Sequence, residues 1–327
     1  MFCNVSFNIT ADCSHPQWHF LPVCSTVLTF LIVLCNGAVL ITFFRARILT
    51  TPFNVYLLNL LLTNLLHAIL VNPLDIAAML FPRWPYSSAT CTLYLYFQRT
   101  GDAVMINSHV LICVNRLWAV AAPLSYRLHH TRRLAVTLCA GLWLWANSLL
   151  LPQIVQDALF VRPPGVCHLD VRPQWALAVS GHFLLFVFPL ILMITSYPLL
   201  LCLRRRRPRR IYQESDFGNS FQMRGRCDSE DIPAPARRKH RSKAFTILTL
   251  LTVSVTICWS PLLILFTMTF FMDYFDSAFY QIGSVLFLLE PLCDPLYFAI
   301  VLHDLRKAFG LTFATTSGVE STSSAVK

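Results

Sequence analysis

The chain has 327 residues, of which 56% are apolar and only 13% are charged. The charged fraction is about half of the roughly 25% found in soluble domains, and the mean hydropathy is +0.58. This composition excludes a disordered chain, a collagen-like fibre and nearly every water-soluble enzyme, and it predicts an all-α membrane protein. The formal net charge is +10, and a high positive charge is also typical of nucleic-acid-binding proteins. The positions of the charges along the chain distinguish these two explanations.

Seven long apolar segments each reach the roughly 20 residues that a helix needs to cross a bilayer. Prolines occur within several of them, which membrane helices tolerate because neighbouring helices satisfy the freed backbone groups. The sequence lacks the alternating segments of about ten residues that are typical of a membrane β-barrel. The predicted fold is a seven-transmembrane helix bundle with spans at residues 21–44, 53–80, 88–120, 133–155, 176–203, 243–271 and 277–300.

Basic residues are distributed unequally between the two sides of this predicted bundle. Most of the 26 Lys and Arg residues lie in alternate loops and in the C-terminal tail. The exceptions are Arg83, Arg162 and Arg172 in the opposite loops, and Arg99 and Arg116 within the third span. The positive-inside rule therefore places the N-terminus outside the cell and the C-terminus in the cytoplasm.

The third cytoplasmic loop, about residues 204–242, holds the largest group of basic residues. Such a run either contacts anionic membrane lipids as a solvated loop or provides a docking surface for a cytoplasmic protein. Neither interleaved aromatic residues nor a separate basic domain accompanies it, so nucleic acid is not an expected partner. The net charge is thus interpreted as a signal of topology.

The N-terminal segment, residues 1–20, is predicted to be a glycosylated extracellular tail. It contains two Asn-X-Ser/Thr sequons, at Asn4 and Asn8, which are modified only on the lumenal or extracellular side. The segment does not show a basic start followed by an apolar core and a cleavage site. The first span is therefore expected to act as the targeting signal.

Two cysteines close to the bundle fall on the oxidising side of the membrane. Cys91 lies at the outer end of the third span, and Cys167 lies in the outer loop between the fourth and fifth spans. We expect a disulfide between them, which would attach this loop to the third span. Cys3 and Cys13 are a second candidate pair, which would close a small loop in the N-terminal tail.

Landmark residues recur through the predicted spans in a fixed order: Asn36, Asn64, Trp84, Cys91, Arg116, Trp143, Pro189, Tyr197, Trp259, Pro261, Asp294 and Pro295. With these landmarks the chain resembles the rhodopsin-like (class A) G-protein-coupled receptors over about residues 21–312. The resemblance implies a seven-helix domain over 21–302, a short amphipathic eighth helix over 303–312 and a cytoplasmic tail over 313–327. It also implies a multi-pass receptor of the cell membrane, not an enzyme, with a heterotrimeric G protein and arrestin as partners.

Several departures from the family pattern concern activation. The family has an acidic residue before the span-three arginine and a tyrosine after it, whereas this chain has Asn115 and Leu117 around Arg116. Because asparagine cannot form the ion pair that holds the family's resting state, raised basal activity is predicted. Phe298 stands where relatives have a tyrosine that contacts the equivalent of Tyr197. The loss of this hydroxyl favours an alternative function, a weakly coupling receptor that acts as a decoy or as a heteromer partner. The residues assigned to activation and coupling are Asn115, Arg116, Tyr197, Trp259, Asp294, Pro295 and Phe298.

The aspartate of span two and the asparagine of span seven in the family are exchanged in this chain, as Asn64 and Asp294. Glu290 lies one turn before Asp294 on the same helix face, so two carboxylates are expected close together. Two ionised carboxylates repel each other in a low dielectric, so that either one is protonated or a cation is shared. We expect either a sodium ion or a hydrogen-bonded polar cluster with water at Asn36, Asn64, Glu290 and Asp294, and no other cofactor.

Ionisable residues in the outer halves of the spans are candidates for ligand binding, because burying a charge in a membrane is costly. The branch of amine receptors has an aspartate where Gln98 stands, so a protonated amine is not expected at that position. Arg99 and Asp102 either neutralise each other or bind an anionic and a cationic ligand group. His109 is expected to be a hydrogen-bonded buried histidine. The candidate ligand-binding residues are Gln98, Arg99, Asp102, Asp75, His182, Trp259, Leu263 and Phe266.

The apolar walls and few polar anchors of this set are typical of a small-molecule site. The predicted function is therefore transmission of an extracellular small-molecule or lipid-like signal to G proteins. A transporter is a more remote alternative, since inverted repeats with broken helices are not evident in the sequence. A metal-ligand cluster, a phosphate-binding glycine loop and a nucleophile–base arrangement are also missing from the sequence, which argues against an enzyme.

Overall fold

The computed structural model describes residues 16–45, 51–163, 165–169, 172–206, 234–272, 274–301 and 305. Within these residues no strand occurs, and seven helical segments are long and apolar enough to cross a membrane. This arrangement confirms the predicted fold class, a seven-transmembrane helix bundle. The spans are α1 (Phe20–Arg45), α2 (Pro52–Leu80), α3 (Ser88–Ala121), α4 (Arg132–Val161), α5 (Arg172–Leu203), α6 (Thr249–Met272) and α7 (Ser277–Ala299).

Three helices extend beyond the apolar spans. The helix that contains α6 begins at Ala234 rather than at residue 243, the one that contains α5 ends at Arg206, and the one that contains α7 ends at Val301. A short helix, Pro123–His129, connects α3 to α4. The sequons at Asn4 and Asn8, the Cys3–Cys13 pair, most of the third cytoplasmic loop and the tail lie outside the described residues, and Leu305 is the one described residue of the predicted eighth helix.

Side chains at the helix ends explain where several spans begin and break. The hydroxyl of Ser87 accepts a hydrogen bond from the backbone N–H of Thr90 at 3.2 Å, which caps the start of α3. Thr131 caps α4 in the same way, through the N–H of Leu134. α2 is interrupted at Val71, two residues before a proline that cannot donate a backbone hydrogen bond.

Pro295 in α7 frees a backbone carbonyl that a neighbouring helix then binds. Because proline has no N–H, the carbonyl of Pro291, four residues earlier, loses its partner within the helix. The side-chain amide of Asn36 in α1 donates to this carbonyl at 2.8 Å. The landmark asparagine of α1 therefore satisfies the carbonyl that Pro295 leaves free within α7.

Pro189 in α5 has an equivalent arrangement. Its missing N–H frees the carbonyl of Leu185, within a wider π-helical turn at Phe183–Val187. The side-chain amide of Asn107 in α3 donates to that carbonyl at 2.9 Å. The irregular part of α5 is thus held against α3, in the part of the bundle where the candidate ligand residues lie.

α3 is the central helix of the bundle and packs against α2, α4, α5 and α6. Its side chains Val104 and Met105 belong to the largest buried cluster, together with Trp259 of α6. Large apolar side chains of α1 and α4, such as Phe30 and Leu144, are exposed at the outer surface. An apolar outer surface is expected for helices that face lipid hydrocarbon, because the bilayer is the solvent there.

The predicted disulfide between Cys91 and Cys167 is confirmed. It joins the first turns of α3 to the loop between α4 and α5, with the two Cα atoms 5.7 Å apart. Cys91 is buried beside Val71 and Ile154, so the bridge is anchored in an apolar cluster shared by α2 and α4. The disulfide therefore fixes the loop over the end of the bundle where α3, α5 and α7 begin.

Candidate functional site

A pocket opens between α2, α3, α5, α6 and α7, close to the end of the bundle that carries the disulfide. Its volume is about 900 Å³, with its open mouth included. All the residues that the sequence indicated for ligand binding line this one pocket. Sequence analysis missed four polar residues that also line it, namely His67, Asn72, Tyr280 and Ser284.

Asp102 of α3 faces a histidine of α2. Its carboxylate lies 3.0 Å from Nε2 of His67, and the other ring nitrogen is 3.1 Å from Oδ1 of Asn72. The amide of Asn72 donates to Thr29 of α1 at 3.0 Å, so its oxygen accepts from the imidazole. Gly101 allows this close approach, because a Cβ there would lie 2.7 Å from Cδ2 of His67. Asp102 therefore lies at ion-pair distance from His67, although the contact does not have hydrogen-bond geometry.

Asp75 of α2 is the second acid of the pocket, and it also has a protein partner. The hydroxyl of Tyr94 donates to its carboxylate at 2.8 Å. The same hydroxyl oxygen accepts a hydrogen bond from Nε2 of Gln98 at 3.0 Å. The ring of Tyr94 stacks on Trp84 with centroids 5.3 Å apart. Asp75 and Gln98 thus belong to one hydrogen-bonded network that joins α2 and α3.

Arg99 differs from both acids because none of the described carboxylates pairs with it. Its guanidinium carbon lies 5.8 Å from the ring centroid of Phe266 in α6, and its buried Nε has no hydrogen-bond partner among the described residues. The ion pair with Asp102, one of the two alternatives from the sequence, is not formed, since Asp102 faces His67. A guanidinium stays charged at any physiological pH. The pocket therefore contains an uncompensated cation beside an aromatic wall.

His182 joins α5 to α6 in the wall of the pocket. Its Nε2 is 2.9 Å from the hydroxyl of Thr267, and that hydroxyl donates its own proton to the carbonyl of Leu263. The hydroxyl oxygen therefore accepts from the imidazole N–H. The ring also contacts Phe270 at a centroid distance of 5.0 Å. His182 both lines the pocket and holds two helices together.

Trp259 lies deeper in the pocket, against α7. Its ring meets Phe287 edge-on with centroids 4.7 Å apart. Close packing of the two helices depends on Gly283, because a Cβ there would lie 2.9 Å from Cδ2 of Leu262. Aromatic pairs in this geometry are more favourable than their buried area alone suggests. Trp259 and Phe287 therefore join α6 and α7 at the apolar base of the pocket.

A second polar site, the inner cluster, lies deeper in the bundle and consists of Asn36, Asn64, His109, Glu290 and Asp294. The side chains of Asn64 and Asp294 face each other, as the resemblance implies, and the amide donates to the carboxylate at 2.9 Å. Asn64 is also 3.5 Å from Oδ1 of Asn36. Each of these side chains is at most 1% exposed. The cluster thus connects α1, α2, α3 and α7 away from solvent.

His109 occupies the middle of the inner cluster, a role that sequence analysis missed. Its Nε2 lies 2.6 Å from Oε1 of Glu290 and 3.1 Å from Oδ1 of Asp294. Its Nδ1 donates to the carbonyl of Met105 at 2.8 Å. His109 follows Asp102 by seven residues and so shares its helix face. That spacing is the signal by which the sequence could have placed it opposite α7.

At the other end of α3, Asn115 is bonded to the connection between α3 and α4. Its side-chain amide is 2.8 Å from Nε2 of His130, and its oxygen accepts from the hydroxyl of Tyr126 at 3.1 Å. Tyr126 and His130 stack with ring centroids 4.4 Å apart. Asn115 thus stands where the family has an acidic residue, and it forms two hydrogen bonds with neutral groups in place of an ion pair.

Burial and a nearby charge keep His130 neutral. Burial lowers the pKa of His130 from its ordinary value of 6.5, and the positive charge of Arg116 lowers that pKa further. Burial raises the pKa of Tyr126, against the opposite effects of Arg116 and of the hydrogen bond to Asn115. The imidazole is therefore uncharged at neutral pH, and its Nε2 can accept the hydrogen bond from Asn115 at 2.8 Å, with the hydroxyl of Tyr56 3.3 Å from the same nitrogen.

Arg116 forms no ion pair with any described carboxylate. Its guanidinium carbon lies 3.3 Å from the ring centroid of Phe53 in α2, and its Nε has no hydrogen-bond partner in the described part of the chain. Phe298 of α7 is fully buried in the apolar cluster that also contains Phe53. Tyr197 is partly buried in α5. The side chain of Arg116 thus lies on an aromatic face of α2.

A family model described as the 7 transmembrane receptor (rhodopsin family) matches residues 35–298. The chain belongs to this family. Membership confirms the predicted class of receptor, which is not a class of enzymes, and it agrees with the seven spans of a multi-pass membrane protein.

Curated relatives cover different shares of this receptor. The D(1)-like dopamine receptor of Takifugu rubripes is 24% identical over 323 residues, which cover 88% of this chain and 68% of the relative. The 5-hydroxytryptamine receptor 1B of Spalax ehrenbergi is 31% identical over 157 residues, 46% of this chain and 41% of the relative. The human Probable G-protein coupled receptor 101 is 27% identical over 182 residues, 54% of this chain and 35% of the relative. The chain thus spans less than half the length of the last two.

Proposed function

We propose that this chain is a G-protein-coupled receptor for a small molecule that carries an anionic group and an apolar body. One observation carries the ligand class: Arg99 is the pocket charge that has no opposite charge among the described residues. Leaving a guanidinium unpaired in a site of low dielectric is costly. A carboxylate or another anion on the ligand would supply the partner through charge-assisted hydrogen bonds.

The other pocket charges support the same ligand class. Asp102 lies 3.0 Å from Nε2 of His67, and Asp75 accepts a hydrogen bond from Tyr94, so each acid has a protein group beside it that can offset its charge. A cationic ligand would have to displace one of these contacts before it could bind. The dopamine and 5-hydroxytryptamine receptors are named for amines, yet the amine-binding aspartate of that branch is Gln98 in this chain.

The body of the ligand is proposed to lie against the aromatic and aliphatic side chains of α6. Leu263 and Phe266 line the same wall that Arg99 approaches, and Trp259 lies deeper. Sites with apolar walls and a few fixed polar groups are typical of small-molecule pockets. A lipid-like acid fits this combination of one cation and an extended apolar surface.

Three compounds built on a ten-carbon chain test the ligand class: decanoate, methyl decanoate and decylamine. The purified receptor should gain thermal stability with decanoate and not with the neutral ester or the amine. The Arg99→Gln variant should weaken decanoate binding by at least about ten-fold, since a charged hydrogen-bond partner is lost. Arg99→Lys, which keeps the charge but not the planar geometry, should lie between the two. Stabilisation by decylamine alone would overturn the proposed ligand class.

The proposed orientation has the N-terminus outside and the G protein bound at the opposite face. The Cys91–Cys167 disulfide supports it, because disulfides persist on the oxidising side of the membrane, and the helix end at Cys91 is on the same side as the start of α1. Arg127, Arg132 and Arg133 lie at the opposite face. Labelling of intact cells by an antibody to an N-terminal tag, without labelling of a C-terminal tag, is the expected result.

A second candidate is a weakly coupling receptor that acts as a decoy or heteromer partner. Phe298 supports it, because this fully buried ring provides no hydroxyl for hydrogen bonding to Tyr197. Nucleotide exchange measured on a panel of G proteins, with arrestin recruitment in parallel, distinguishes the two candidates. Exchange above that of a receptor-free membrane supports the signalling receptor, and arrestin recruitment without exchange supports the alternative.

A further inference from the structure

The two acids of the inner cluster are compatible, from the sequence alone, with a shared sodium ion. A hard cation prefers oxygen ligands and must contact each carboxylate that it neutralises. In the structure, Nε2 of His109 lies 2.6 Å from Glu290 and 3.1 Å from Asp294. The contact to Asp294 has hydrogen-bond geometry, whereas the contact to Glu290 is at ion-pair distance and neither Glu290 oxygen has a hydrogen-bond partner among the described residues. Nε2 of His109 and one oxygen of each acid all lie within 4.8 Å of one another, so the imidazole nitrogen occupies the side of both carboxylates from which a shared sodium ion would have to contact them.

The contacts of His109 indicate where its protons lie. Nδ1 faces the carbonyl of Met105, which can only accept, so this nitrogen carries a proton. Nε2 faces carboxylate oxygens of Glu290 and Asp294. In the doubly protonated ring each nitrogen donates a hydrogen bond, Nδ1 to the carbonyl of Met105 and Nε2 to the carboxylate of Asp294. The imidazolium also brings a positive charge next to the two acids.

The surroundings explain why the acids need such a partner. His109, Glu290 and Asp294 are at most 1% exposed, so water cannot stabilise an unpaired negative charge there. The second oxygen of Asp294 accepts from Asn64 at 2.9 Å. Asn64 and Asn36 are neutral amides, so among the described residues of the cluster His109 is the only side chain that can supply a positive charge.

We propose that His109 is the built-in cation of the inner cluster, and that this receptor is therefore insensitive to sodium. The imidazolium balances one ionised carboxylate from α3, and the other carboxyl carries a proton, so the cluster keeps no negative charge for a sodium ion to neutralise. The same contacts bond α3 directly to α7. The proposal concerns the inner cluster alone and does not depend on the ligand class of the outer pocket.

Thermal unfolding of the purified receptor, without ligand, tests the proposal. Melting temperatures are compared in sodium chloride and in N-methyl-D-glucamine chloride, each at about 0.15 M so that screening is equal. The wild type should melt at the same temperature in both salts. A higher melting temperature of the wild type in sodium, lost in Asp294→Asn, would overturn the proposal.

Replacing His109 should create the missing sodium dependence. In His109→Gln the two acids lose their cation, and sodium should raise the melting temperature by roughly 3 °C if its concentration is about ten times the dissociation constant. The double variant His109→Gln with Asp294→Asn is the matched control and should lose that rise. Equal melting temperatures of His109→Gln in both salts would overturn the role assigned to His109. If this variant does not fold, the melting temperatures of the wild type in the two salts still test whether the receptor is insensitive to sodium.

Discussion

The side-chain amide of Asn115 donates a hydrogen bond to Nε2 of His130, 2.8 Å away. The bond requires a neutral imidazole, since a protonated Nε2 would place two donors against each other. Burial and the charge of Arg116 lower the pKa of His130, which favours that neutral form. A hydrogen bond at the end of α3 thus depends on pH.

Acid should therefore destabilise the receptor through His130. The pKa of this histidine is about 6.5 in the unfolded chain and lower in the folded one, so between the two values the unfolded state binds more protons. The melting temperature should fall by roughly 2 °C as the pH drops from 7.5 to about 5.5. The His130→Gln variant should lose this part of the pH dependence. His129→Gln, at an exposed neighbouring position, should keep it.

Restoring the family's acid next to Arg116 should lower basal signalling. Arg116 has no described carboxylate partner and lies against Phe53, whereas Asn115→Asp places a charge beside it. Basal nucleotide exchange should fall several-fold in Asn115→Asp at matched surface expression. Leu117→Tyr restores the other family residue without adding a charge, and it should leave the basal rate within about two-fold of the wild type. An unchanged rate in Asn115→Asp would contradict the prediction.

A methyl group at position 101 should separate α2 from α3. The Cβ of Gly101→Ala would lie 2.7 Å from the imidazole of His67, which must then move away from Asp102. We expect a loss of about 1–3 kcal/mol in the free energy of unfolding, as in other cases of overpacking. Gly141→Ala is the matched control, because no atom lies within 4 Å of a Cβ there. An equal effect of the two substitutions would show that helix propensity alone is responsible.

Removing the outer disulfide should destabilise the whole fold. The bridge joins Cys91 and Cys167 across 76 residues of sequence, and loss of such a native disulfide costs about 2–5 kcal/mol. Cys167→Ser should lower the yield of folded receptor and its melting temperature. Cys202→Ser, at an exposed free cysteine, is the control and should behave like the wild type. A reducing agent should lower the melting temperature of the wild type by the same amount as Cys167→Ser does.

Most of the fold could be predicted because each span is a continuous apolar run of the right length. The prolines within the spans were predicted to be tolerated, and the structure shows that Pro73 and Pro189 follow an interruption of α2 and a π-helical turn of α5. The start of the α6 helix at Ala234 could not be predicted in this way, since its first turns are polar and basic. Hydropathy detects the part of a helix within the bilayer and not its extension into water.

The candidate site was only partly predictable. Residues such as Arg99 and Asp102 were recognisable, because a charge inside an apolar run is conspicuous in any sequence. Their partners were not, since the contact between His67 and Asp102 depends on how closely two helices approach at Gly101. The sequence could not decide whether Arg99 pairs with Asp102 or is available to a ligand. That decision depends on the side-chain conformations in α3 and α6 once the helices are packed. Such pairings are properties of the packed bundle and leave no local pattern.

The carbonyls freed by Pro189 and Pro295 are each bound by an asparagine of a different helix. Neither helix can move away from its neighbour at these positions without first breaking a hydrogen bond to α3 or α1. Each of the two proline sites is therefore tied to a neighbouring helix at a fixed level of the bundle. A movement that begins at the pocket wall of α5 would be transmitted to α3 at Asn107, and a rotation of α7 would be transmitted to α1 at Asn36.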